Sequence, residues 1–416
     1  MVIAYRPLSY GAEPIPAIDL WMAVLVAGIV FQMIPLPAPV IDTISPADRR
    51  ITEQLALRVP SSLPISLDLT RTGRALLVSL GAILIFLTAR RVFATGGVRI
   101  AVRGISAIGM LLAAISLAQE ATAGGLMYWR WKPLEEGPPP FGPFVNRNHF
   151  GTWAIMAIPM CLGYLAAHSA AHGHHGRDQV PLPWRRRVAT FFDGRAMGLT
   201  TSACLLLVAL VMTMSRSGLL GIAAAAFVGL LLRGASRRSG GRAIWWIAAG
   251  AALVLVLTLA QVSPATLGNR LSTFRVSANG RFLIWRDTIP VVRDFWLTGT
   301  GAGTYLTSML VYQRASPGWL FNQAHNHYLQ VAAEGGVLLG IPVFMALAVY
   351  TRDAWRRLSA DRSGVYWIRA GALCGLAGVA AQSLWETGLT MPANAALAAI
   401  AAAIVAHDPP PPQVRH

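Results

Sequence analysis

"HNHYLQVAAEGGVLLGIPVFMALAVY", His325 to Tyr350, decides how this chain is read. From Tyr328 onward it is long and apolar enough to cross a bilayer as a helix, which takes about 20 residues. Its first residues are two histidines and an asparagine, and Glu334 sits seven residues after His327. Polar groups at the mouth of such a segment cost free energy and mark a site by default.

The rest of the chain has the same character. Of 416 residues, 55% are hydrophobic and only 13% charged, about half the charged share of a soluble domain. Ten segments read as membrane spans: 18–36, 74–93, 100–119, 150–168, 196–214, 217–232, 243–262, 328–350, 367–386 and 388–406. The fold class is therefore an all-α, polytopic integral membrane protein of about ten transmembrane helices (10–12). The acidic Glu13 and Asp19 ahead of the first apolar run argue for a retained helix rather than a cleaved signal.

The net charge is +17, carried by arginine, since Lys132 is the only lysine. Arginines crowd the short loops 89–103, 168–197, 233–242 and 351–369, as the positive-inside rule asks of cytoplasmic loops. The charge is thus a topology signal, and no nucleic-acid partner is needed to explain it. Both termini are expected in the cytoplasm. Three long connections, 37–73, 119–149 and 263–327, then face outward. The last is a partly helical loop between spans 7 and 8, and it holds Arg270, Arg275, Arg281, Arg286, Arg293 and Arg314 against the charge rule. Two regions follow: 1–145 with spans 1–3, and 146–416 with the remaining spans and the loop 263–327. The three cysteines lie inside apolar runs and suggest neither disulfides nor a metal site.

Five polar constellations sit at the expected outer ends of spans. "MSRSG", Met214–Gly218, places Arg216 between two spans, as a site or as a snorkelling arginine. "NGRFLIWRDT", Asn279–Thr288, puts Arg281 and Trp285 on one helical face, with Arg286 starting a stripe that continues to Arg293. Guanidiniums bind phosphate bidentately, so converging arginines suit a diphosphate; an interfacial helix with tryptophan on lipid and arginine on headgroups is the other reading. "NRNHFG", Asn146–Gly151, brings Arg147 and His149 to the start of the fourth span. "GTGAG", Gly299–Gly303, reads as a tight turn or as an amide nest for phosphate. His325 and Asn326 occupy a helix N-terminus, suited to an anion, and a histidine there can take a proton from a hydroxyl.

Taken with their order, "NRNHFGTWAIMAIPM", "MSRSG", "NGRFLIWRDTIPVVRDFWLTGTGAGTY" and "AHNHYLQVAAEGGVLLGIPVF" resemble the O-antigen ligase and O-antigen polymerase superfamily. The resemblance covers roughly residues 146–344. It implies a glycosyltransferase of the bacterial inner membrane, acting at the periplasmic face on a glycan carried by undecaprenyl diphosphate. The implied acceptor is lipid A–core in a ligase, another glycan in a polymerase, or a protein hydroxyl in an O-oligosaccharyltransferase. The chemistry it implies is metal-independent and inverting, without a cofactor. Arg216 and Arg281 would hold the diphosphate, with Arg286 assisting, and His325 would be the general base, with His327 as its alternate. Asn326, His327, Glu334, Arg147 and His149 would support the site or the acceptor. The resemblance is incomplete: family ligases often have twelve spans, and Leu339 stands where a second glycine is common after Gly336. A lipid-linked glycan flippase is the rival of another class, though its polar residues would line a path through the bundle.

Overall fold

A computed structural model describes residues 16–55, 61–132, 140–172, 193–235, 280–315 and 320–408. Nine of the ten expected spans are helices there. In chain order the helices are α1 (Ala17–Met33), α2 (Ala38–Ile44), α3 (Pro46–Leu55), α4 (Leu69–Thr95), α5 (Val98–Thr122), α6 (Arg147–His172), α7 (Gly194–Met212) and α8 (Arg216–Ala235). They continue with α9 (280–294), α10 (Tyr305–Tyr312), α11 (His327–Ala360), α12 (Tyr366–Gln382) and α13 (Pro392–Ala406). Two residue pairs, Leu36–Pro37 and Ser62–Leu63, form a short antiparallel bridge.

Among the described residues six helices, α4 to α8 and α11, are long and apolar enough to cross a membrane. The chain is a membrane-embedded helical protein. Helices α1 and α13 are shorter apolar helices, and α12 carries a buried arginine, Arg369. The seventh expected span, 243–262, lies outside the described residues, as do Arg270 and Arg275. The ninth ends at Gln382 rather than at 386, and the tenth starts at Pro392, so Glu386 belongs to a turn. The connection 37–73 is more structured than its composition announced, because α2 and α3 fill most of its first half.

Contacts between helix ends sort the described spans by direction. At one end Arg90 pairs with Asp19 at 2.9 Å, Arg99 donates to Gly364 O, and Arg369 contacts Asp361 at 3.3 Å and donates to His407 O at 3.0 Å. At the other end Gln32 meets Glu334 O, Asn148 meets Glu386, and His327 N–H donates to Ser383 O.

Helix α6 is the axis of the bundle and is nearly all buried. Small residues let α12 lie directly on it: a Cβ at Gly163 would sit 2.3 Å from Trp367 O, and one at Gly371 2.2 Å from Pro159 O. Close backbone approach of this kind is how helices associate where lipid removes the hydrophobic driving force. The turn between α7 and α8 is three residues long. Ser215 Oγ accepts from Gly218 N–H at 3.1 Å and caps α8, while Met214 takes a left-handed φ of 51°.

The feature that positions the site is a break in α11. Gly336, with φ of 51° and ψ of −149°, interrupts the helix inside the bundle. The segment after α9 fills the break. Thr300 N–H and Gly301 N–H donate to Ala333 O and Glu334 O at 3.1 and 3.0 Å, and Val337 N–H and Leu338 N–H donate to Trp296 O and Leu297 O at 2.8 and 2.9 Å. Gln32 of α1 ties the same region: its Nε2 donates to Thr298 O at 2.8 Å and to Glu334 O at 2.9 Å, and its Oε1 accepts from Ala302 N–H at 3.0 Å. Gln32→Leu removes the partners of Thr298 O and Ala302 N–H, at about 1–3 kcal/mol for each buried group left unpaired. The variant is expected to melt several degrees below the parent in detergent by differential scanning fluorimetry, and an unchanged melting temperature would show that the clasp stands without this amide.

Candidate active site at one end of the bundle

The polar ends of α6, α9 and the entry to α11 meet around one carboxylate. Glu386, in the turn between α12 and α13, is 1% exposed. Its Oε2 accepts from Asn148 Nδ2 at 2.6 Å and lies 3.9 Å from the Arg281 guanidinium. Its Oε1 accepts from Thr387 N–H at 3.1 Å and faces two imidazoles, His325 Nδ1 at 3.5 Å and His149 Nε2 at 3.9 Å. Burial pushes the Glu386 carboxyl up, but the contact and charge of His325, then the charge of His149, outweigh it and hold the group below the usual carboxylate range. The turn presses against α6, since a Cβ on Gly388 would fall 2.1 Å from Thr152 Oγ1.

Two arginines face the same place. Burial lowers the Arg281 guanidinium from its ordinary range; Glu386 opposes that, and the nearby positive charge of Arg216 adds to it. Arg216 and Arg281 therefore lie close enough to repel, and Arg281 has Glu386 as its counter-charge. Arg281 stands at the start of α9, Arg216 at the start of α8 and His325 just before α11. Helix N-termini bring partial positive charge and free amides to the same end.

Local backbone fixes these side chains. His325 has a left-handed φ of 48°, a conformation that costs a non-glycine residue of order 1–3 kcal/mol and clusters at functional sites. Asn326 holds it there: its Oδ1 accepts from Leu329 N–H at 3.0 Å and caps α11. The His325 Nδ1 faces Glu386, and the side chain is one quarter exposed.

The other expected residues fall in different places. Arg147 is the first residue of α6, next to Asn148. His149 reaches the carboxylate and is itself buried. His327 begins α11 with its Nδ1 shut off from solvent. Glu334 faces the clasp, accepting from Gly303 N–H at 2.8 Å, Tyr305 N–H at 3.2 Å and Gln330 Nε2 at 3.0 Å. Arg286 lies beside Asp287 with two thirds of its side chain exposed, and helical spacing sets it about 140° round α9 from Arg281. The "GTGAG" amides are consumed inside the protein: those of Gly299, Thr300, Gly301 and Ala302 donate to Phe295 O, Ala333 O, Glu334 O and Gln32 Oε1, and that of Gly303 to Glu334 Oε2. The stretch is a tight turn, and a Cβ at Gly299 would lie 2.2 Å from Glu334 O.

Glu386 and Asn148 were not among the expected site residues. The signal for Glu386 was present as the one acidic residue in the apolar stretch 366–406, where it served only to divide two spans.

Residues 201–345 match the family model described as O-Antigen ligase. No curated protein matches the chain. The match bears out the resemblance to the O-antigen ligase and polymerase superfamily and supports glycosyl transfer of that type. It contains Arg216, Arg281 and His325, while Asn148, His149 and Glu386 lie outside it and are joined to the site by the fold.

Because Glu386 is held below its ordinary value in the fold, its contribution to stability is present above the usual carboxylate range and is lost as pH falls through the lowered value. Glu386→Gln is therefore expected to lower the melting temperature at neutral pH and to flatten its fall on acidification. Parallel pH–stability curves for parent and variant would exclude this role.

Proposed function

From its O-antigen ligase region, residues 201–345, we propose that the chain is a glycosyltransferase acting at the periplasmic face of the bacterial inner membrane. It moves a glycan from an undecaprenyl diphosphate carrier to an acceptor hydroxyl, lipid A–core in the ligase reading. The observation that carries this is the meeting of Arg281 and His325 around Glu386, with Arg216 near Arg281, at the end of the bundle away from Arg90, Arg91, Arg357 and Arg369. By the positive-inside rule, that end faces the periplasm and both termini face the cytoplasm.

Each group then has one task. Arg216 and Arg281 grip the diphosphate, guanidiniums being fixed charges with a fork that matches phosphate oxygens. His325 Nε2 takes the proton of the acceptor hydroxyl. The hydroxyl oxygen attacks the anomeric carbon from the face opposite the diphosphate, so that configuration inverts. The bond from the anomeric carbon to the diphosphate oxygen breaks, and its electron pair leaves on the diphosphate, where the two arginines meet the growing charge. Glu386 holds the His325 ring by Nδ1 and stabilises the imidazolium that forms. Charge stabilisation comes from the arginines, without a metal. Asn148 and His149 fix Glu386 from the α6 side, and Arg147 at the head of α6 supports the acceptor.

Membranes containing a variant and supplied with lipid-linked glycan and lipid A–core test this. Arg216→Ala and Arg281→Ala are each expected to lose about 10²–10³-fold in transfer rate, and His325→Ala to lose transfer altogether, at unchanged protein abundance. His327→Ala is expected to keep activity. Full activity in the arginine and His325 variants rejects the assignment, and movement of donor across the bilayer with no new glycosidic bond would mark a transporter instead.

A further inference from the structure

Helix α9 carries a second, outward face that the proposed reaction does not use. Its exposed residues are Phe282, Arg286, Ile289 and Arg293, continued by Trp296 in the next turn, a spacing of four, three, four and three that keeps them in one stripe. The three apolar members are 60, 60 and 61% exposed, and the two arginine side chains 66 and 76%. The opposite face is buried through Ile284, Val291 and Phe295. So the stripe alternates large apolar side chains with cations and is covered by nothing else among the described residues.

Two observations say what covers it. The stripe is continuous with membrane-facing surface: Trp296 O is bonded to Val337 N–H of α11, and from there the exposed residues of that spanning helix run through Val337, Ile341 and Phe344. Between them lies an open apolar groove of about 410 Å³, lined by Val292, Trp296, Gly336, Val337, Ile341 and Phe344. Chain that touches lipid along α11 therefore passes without interruption into the Trp296 end of α9. The second observation is charge. Among the described residues, Arg286 and Arg293 each have only their neighbouring Asp287 and Asp294 as near anions, at 3.6 and 3.1 Å, so most of their guanidinium surface remains open to phosphate.

We infer that the outer face of α9 is a lipid-docking surface, which lies in the headgroup region of the leaflet on the site's side of the membrane. Trp296, Ile289 and Phe282 enter the acyl boundary, and Arg286 and Arg293 take lipid phosphates. An amphipathic helix with aromatic and basic residues in this arrangement lies in the interface plane, and arginine stems snorkel so that the charge stays among headgroups. The assignment moves Arg286 from the diphosphate site to lipid. It needs only that α11 spans the bilayer, and stands whether or not the reaction proposed above is correct.

A nitroxide label reads this directly. The full chain, with exposed Cys204 replaced by alanine and Cys161 and Cys374 left buried, carries Ile289→Cys, with Phe344→Cys as lipid reference and Asp42→Cys as aqueous reference. In nanodiscs of phosphatidylethanolamine and phosphatidylglycerol, the ratio of oxygen to nickel-chelate accessibility at 289 is expected to stand several-fold above that at 42 and towards that at 344. Raising the phosphatidylglycerol fraction should raise the ratio at 289, and Arg286→Gln with Arg293→Gln should abolish that rise. A ratio at 289 equal to that at 42 overturns the inference, since the face then meets water. A label shielded from both reagents also overturns it, because protein then covers the stripe, and a rise that survives loss of both arginines overturns their role.

Discussion

A helix that breaks inside a membrane bundle must find partners for the backbone groups it frees, because lipid offers none. Helix α11 breaks at Gly336, and the chain from Trp296 to Gly303 supplies those partners on both sides of the break, as donors to Ala333 O and Glu334 O and as acceptors from Val337 and Leu338 N–H. The fit leaves little room at the contact, where side chains on Gly299 or Gly336 would run into opposing backbone. Much else is arranged to keep this exchange in place. Glu334 spends its carboxylate on the amides of Gly303 and Tyr305, and Gln32 spends its amide on Thr298, Glu334 and Ala302.

The site depends on that clasp for its geometry. The segment that fills the break begins at the end of α9, whose start carries Arg281. The half of α11 above the break begins with the His325–His327 entry. Locking the end of α9 to the middle of α11 therefore fixes how Arg281 and His325 face one another. The remaining anchors come from the bundle: the tight α6–α12 contact sets Asn148 against the turn that holds Glu386, and the capped α7–α8 turn delivers Arg216. Rigid elements rather than long loops present each of these side chains, which is what a preorganised electrostatic site requires.

Much of this was legible in the sequence, for identifiable reasons. Apolar runs of about 20 residues declare spans because the bilayer fixes their length, and nine of them are helices here. Arg216, Arg281 and His325 stood out because charge at the end of a span is costly and local. Glu386 did not, because its meaning is entirely tertiary: its partners come from α6, α9 and the α11 entry, 238, 105 and 61 residues away, and no spacing along the chain encodes that. Glu334 drew attention for the correct reason, a carboxylate in apolar surroundings that needs a partner, but the partners are backbone amides of a returning loop that a pattern search cannot pair with it. Helices α2 and α3 were obscured by their prolines and charges, which read as loop although Pro46 is tolerated as the first residue of α3.

The position of Glu386 also reconciles two demands that oppose each other in the proposed reaction. Gripping a diphosphate asks for fixed positive charge, and Arg216 and Arg281 already repel one another. Taking a proton onto His325 adds a third positive charge a few ångströms away, in a setting where burial has thinned the water that would screen it. With arginines alone, the better the site held the donor, the more it would resist creating an imidazolium. A single buried carboxylate between Arg281 on one oxygen and His325 and His149 on the other offsets both. Its carboxyl is held below the usual range because His325, His149 and the Thr387 amide outweigh its burial. An anion at the bottom of a cation-lined site is thus not a contradiction of anion binding; in the proposed reaction it is the element that lets the arginines and the histidine work at the same place.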